Sequence, residues 1–225
     1  MPNLTDVLGS ITETANWMKS GGILPVGRAA LNAYLKRRSA EAQEMLFEEL
    51  RSGGYLPEQV AAEDDGIAVI HGYVRAAWEG RARVNLRLLA KAIRGQLQVG
   101  TLVADEFYLY AESLAGLSRD EVILVSTLLR HHSKLPEVPE DEAGEREKQF
   151  PWLATMAEME AKGWQKDKVA AVAGRCLRSG FVIAQSAWDG LAFKVSPMLL
   201  DLSKTVDFDD ALKREDSSRS SATAR

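Results

Sequence analysis

Apolar residues recur along most of this chain at the three- and four-residue intervals of an α-helix, and alternate singly between Phe181 and Val195. Leu4, Val7, Leu8, Ile11, Ala15 and Met18 make one stripe, which predicts a first helix broken by Gly21-Gly22. After Pro25 a longer pattern runs to Arg51 through Val26, Ala29, Ala33, Ala42, Met45, Leu46 and Leu50, closed by Gly53-Gly54. Within it the cations Arg28, Lys36, Arg37 and Arg38 precede the acids Glu41, Glu44, Glu48 and Glu49, an order that opposes the helix dipole. Ile67, Ile70, Val74, Ala77 and Trp78 form the next stripe, with Asp64-Asp65 placed to cap it, and Val84, Leu88, Leu89, Ala92, Ile93 and Leu97 form another. Joining these two would bury His71 and Asn85 and oblige both to find partners, so a break near Gly80 is expected. Val103 to Leu114 reads as a further helix.

Leu117-Ser118-Arg119-Asp120-Glu121 is a capping box, serine at the cap and glutamate three residues on, ahead of Val122, Leu124, Val125, Leu128 and Leu129. Phe150 to Lys162 predicts a second helix in this half, with Trp152, Leu153, Met156 and Met159 at helical spacing. A third runs from Gln165 to Ser179, its apolar side formed by Val169, Val172, Ala173 and Cys176, and Gly180 ends it. Phe181, Ile183 and Gln185 alternate with Val182 and Ala184, and Leu191, Phe193 and Val195 with Ala192 and Lys194. With Asp189-Gly190 between them the two runs predict a hairpin, in which Phe181 and Ile183 share a covering face with Leu191, Phe193 and Val195. Ser196-Pro197 caps a short closing helix. Beyond Lys204 the chain is rich in Ser, Asp and Arg, with too little apolar surface to order itself, and a disordered tail is expected. The expected organisation is a helical domain over 1–116, a second domain over 117–204 and a tail over 205–225.

Helix, tight exit, hairpin and serine-capped closing turn, preceded by the Ser118 helix and the Phe150 helix, resemble in their order a winged helix-turn-helix module covering Ser118 to Lys204. The resemblance implies a mainly α protein, an N-terminal multi-helix region followed by a winged-helix-like unit with one β-hairpin. It implies that the helix before the hairpin enters the DNA major groove, with Lys168, Arg175 and Arg178 facing it, while the wing touches phosphates. Two features depart from that pattern. The wing sets only Lys194 against Asp189 and carries Trp188 at its tip, and the run Glu137 to Lys148 holds six acids and two bases. Trp188 suits a protein contact, because tryptophan is enriched where interfaces concentrate their energy; otherwise it folds back over the hairpin. The layout is also similar to that of prokaryotic abortive-infection (phage-defence) alpha-type proteins.

Charge narrows the function classes. The formal net charge is −4, so the molecule lacks the basic excess of a dedicated nucleic-acid binder and any such binding is local. The strongest local excess is +5 between Arg75 and Arg94, where Arg83, Arg87, Lys91 and Arg94 repeat on one helical face. Those four are either a phosphate-binding groove or a solvated face paired with Glu48-Glu49 and Glu63-Asp64-Asp65. The single cysteine, Cys176, reads as a small buried hydrophobe, since a nucleophile needs a base beside it. His131-His132 suit the last turn of their helix and have no second ligand pair at zinc spacing. Asp105, Glu106, Tyr108, Tyr110 and Glu112 form the one carboxylate-aromatic cluster with which an enzyme could be argued. No stretch approaches the roughly 18 to 20 apolar residues of a membrane span, and a cytoplasmic location is the default. The expectation is a non-enzymatic regulatory protein that binds nucleic acid through the second domain, or uses the same domain for protein contacts. No cofactor, metal or membrane is expected, and self-association stays open.

Overall fold

The computed structural model describes residues 25–134, 145–187 and 190–223. The chain divides into two compact units, Met1–Ala115 and Gly116–Arg225. The stripe from Leu4 to Met18 lies outside the described residues, as do 137–144 of the acidic run.

The first unit is helical: α1 (Pro25–Ser52), α2 (Pro57–Ala62), α3 (Gly66–Trp78), α4 (Arg83–Val99) and α5 (Ala104–Ala115). The expected break falls between Trp78 and Arg83, with Gly80 in the left-handed region at φ 78°. Asp65 stands before α3 without capping it through its side chain. Its Oδ2 instead accepts the Ala104 amide at 2.8 Å, satisfying a donor at the start of α5. Helices α1, α3 and α5 pack on α4, in which every residue from Val84 to Ile93 is buried, and α2 packs on α3. Asn85, whose burial obliges it to find a partner, donates through Nδ2 to the Ala115 carbonyl at 3.0 Å.

The second unit packs α6 (Arg119–His132), α7 (Glu145–Ala161) and α8 (Lys166–Cys176) with a 3-10 turn (Leu177–Ser179), strands β1 (Val182–Ala187) and β2 (Gly190–Val195), α9 (Pro197–Ser203) and α10 (Phe208–Thr223). Helix α6 touches α7, α8, α10 and β2 and is the centre of this unit. The strands are antiparallel, with Val182 opposite Val195 and Ala184 opposite Phe193. That register corrects the expected face. Val182, Ala184, Phe193 and Val195 turn inward, Ile183 pairs with Lys194 on the exposed side, and Phe181 is buried in the turn before β1 begins. The chain reaches that turn through Gly180, at φ 72°, where an added Cβ would sit 3.1 Å from the Met198 methyl, so glycine suits the position twice over. Phe193 meets Trp152 edge to face at 4.9 Å between ring centroids.

The stretch read as a disordered tail from 205 is helical over Phe208–Thr223. Asp207 caps it by accepting the Asp210 amide at 2.9 Å, and Phe208, Ala211 and Glu215, one turn apart, are buried. Phe208 packs against Phe181, centroids 6.3 Å apart. A few apolar residues suffice because α6 already offers a surface to complete.

Candidate functional site

The N-terminal turn of α6 and the outer edge of α8, with the turn that follows it, form a connected polar site in the second unit. Glu121 closes the capping box predicted for this helix: the Ser118 amide donates to its Oε2 at 2.7 Å, while its own amide donates to Ser118 Oγ at 3.3 Å. The side chain is fully buried, yet the arginines covering it are not. Arg178 Nη2 reaches Oε1 at 3.2 Å and Arg175 Nη2 reaches Oε2 at 3.4 Å, with side chains 56% and 59% exposed. Arg178 Nη2 also donates to the Gly116 carbonyl at 2.7 Å. Burial pushes the Glu121 pKa up, but the Ser118 hydrogen bonds and the charges of Arg178 and Arg175 outweigh it and hold the carboxyl below its ordinary value. Lys168 pairs with Asp120 at 2.9 Å and lies 3.8 Å above the Trp164 ring. All three cations expected to face a groove are thus at the surface and engaged with α6 or Trp164, and their remaining donors are open to solvent.

Beside them, mostly to one side of the cation stripe, runs an uncharged strip. Ala170, Ala171, Gly174 and Leu177 are exposed on successive turns, and a Cβ on Gly174 would meet nothing within 4 Å. Trp188 and Asp189 lie outside the described residues.

The other basic stripe has a different place. Arg83, Arg87, Lys91 and Arg94 of α4 lie along α1, which supplies Glu41, Glu48, Glu49 and Ser52 in the same order, so the two helices run parallel. Glu49 is fully buried and takes Arg87 at 3.2 Å, Arg94 at 3.1 Å and Lys91 at 3.5 Å. Arg87 and Lys91 are themselves 3% and 2% exposed, so neither can meet a phosphate chain at the surface. The expected pairing with Glu48-Glu49 is present, but as an interior ladder and not as a solvated face. Arg83, part exposed, bridges to Glu41 at 3.5 Å. What hid this from the pattern is distance along the chain: the matching acids stand about forty residues earlier.

Of the carboxylate-aromatic cluster, Asp105, Glu106, Tyr108 and Glu112 are exposed on α5, and the Tyr108 hydroxyl donates to the Ala68 carbonyl at 2.8 Å. Cys176 is buried, and burial, with a smaller push from the Glu121 charge, raises its thiol pKa to about 12. His131 bonds Glu158 at 2.9 Å, and His132 is kept below its ordinary pKa by burial. Among the described residues no group of three or more His, Cys, Asp or Glu could hold a metal ion, and no helix is long and apolar enough to cross a membrane.

Comparison with protein-family models, with curated proteins and with solved structures returns no match for this chain.

Proposed function

We propose that the protein is a non-enzymatic interaction module whose second unit, with the element order of a winged helix, docks on a protein partner through the outer ridge of α8. One observation carries this reading. The cations of α8 and the turn after it are engaged with Asp120, Glu121 and Trp164, while the exposed strip beside them is uncharged, small at Ala170, Ala171 and Gly174 and apolar at Leu177. Such a ridge lets an opposing backbone come close, and the spare donors of Arg175 and Arg178 suit a partner that sets a carboxylate beside its apolar contact. Nucleic acid is the second reading, favoured by the exposure of those two arginines, each of which keeps donors a phosphate could use.

Gly174→Arg separates the two, because the position has room for a side chain. Against a protein partner the new arginine obstructs the ridge, so proteins retained by the full chain from native extract, then purified, should bind about tenfold or more weakly. Against DNA or RNA the same change adds a phosphate contact, strengthening binding and steepening its salt dependence by about one counterion. Salt-titrated binding of both ligand types to the wild type and the variant decides between them. Unchanged affinity for either ligand would remove α8 from that contact.

A further inference from the structure

The opposite end of α6 borders a cleft of about 370 Å³, open to solvent along one side, formed with α9 and the start of α10. The cleft touches α6 from Ser126 to His132, roughly 8 to 16 Å along the helix axis from Glu121, and does not depend on the reading of the α8 ridge. Leu129, Leu200, Val206 and Phe208 supply an apolar part of its lining.

The charges around it do not cancel. Arg130 is committed: its Nη2 donates to Glu158 at 2.8 Å and Thr127 at 3.3 Å, and its Nη1 faces Asp209 at 3.8 Å. Asp209 in turn also accepts from the Ser126 hydroxyl. Asp207 uses one oxygen to cap α10 and has no cationic partner among the described residues. The C-terminal end of α6 adds its partial negative charge on the same side. His132 completes the lining, half-buried and without a hydrogen-bond partner among the described residues. Its depressed pKa keeps it neutral at pH 7, able to bond a donor without repelling a cation.

We infer that this cleft receives one basic side chain, an arginine or lysine of a protein partner, with its apolar stem against Leu129, Leu200 and Phe208 and its charged head at Asp207 and His132. A cleft open along one side leaves a flank of any free ligand in water, whereas a side chain arriving on a larger surface draws part of its affinity from the contacts around it.

The experiment uses the full chain and capped peptides carrying one arginine, one lysine or one norleucine in an alanine-glycine background, with agmatine as a free guanidinium compound. Binding is followed through the His132 ring resonances. The basic peptides should shift those resonances saturably and move the His132 titration midpoint further down, and norleucine should do neither. Asp207→Asn retains the α10 cap, since asparagine caps as well as aspartate, and should weaken the basic peptides about tenfold or more. Equal binding of the norleucine peptide, unchanged affinity in Asp207→Asn, or unmoved His132 signals at millimolar peptide would overturn the assignment. Agmatine binding as tightly as the peptides would overturn the partner side chain in favour of a free amine.

Discussion

The carboxylate of Glu121 both caps α6 and anchors the edge of α8, so two elements share one side chain. Glu121→Ala should cost the second unit about 2–3 kcal/mol, from the cap and one charge-assisted bond, the exposed arginines adding little beyond that. Glu121→Gln keeps the cap geometry and loses the charge. Because the folded-state pKa lies below the ordinary glutamate value, the stabilisation is complete above the ordinary value and is lost as pH falls through the folded one. Urea unfolding followed from pH 6 to pH 3 should therefore show a smaller acid loss in Glu121→Gln than in the wild type. Cys176, its thiol buried and raised to about 12, should resist alkylation at pH 8 in the folded protein and react fully in denaturant. Both residues could be placed from the chain alone, one by the serine three positions earlier and the other by its apolar neighbours at helical spacing. The arginines on Glu121 could not, since nothing local ties α8 to α6.

Among the elements, those built on local signals are the ones the pattern located: the helices bounded by Ser118, Gly80 and Ser196-Pro197. The hairpin is legible too, but its faces are not, because period-two alternation cannot say whether Phe181 belongs to the strand or to the turn before it. The register now distinguishes neighbouring substitutions. Phe193→Ala, which empties the space beside Trp152, should lower stability by about 3–5 kcal/mol in denaturant titration, while Ile183→Thr on the exposed side should stay within about 0.5 kcal/mol. Helix α10 is not legible in the chain because its apolar content is low and its support comes from Phe181 and α6. Ending the chain after Val206 should remove the Phe208 contact and the bridges from Asp209 and Asp216, costing about 3–5 kcal/mol for Phe208 alone and lowering the thermal midpoint. A truncated chain that melts with the full-length protein would show α10 to be dispensable.

For the molecule as a whole, an excess of acids over bases goes with an economy in which most cations near the two described sites are engaged by carboxylates of their own unit. Glu49 is the extreme case. Glu49→Ala would leave Arg87 and Lys91 buried without their shared acid, and a loss of about 3–5 kcal/mol should appear in the first unit, read by calorimetry. The same ladder has a consequence for how firmly α1 and α4 are indexed to one another. Exchanging Glu49, Arg87, Lys91 and Arg94 together for methionine and leucine would remove the cost of drying the buried ions and should leave the unit as heat-resistant as before, or more so. Hydrocarbon contacts, however, tolerate a slip of one helical turn that a carboxylate fixed by several donors forbids, so the greasier protein should show doubled amide signals where the native one shows a single set.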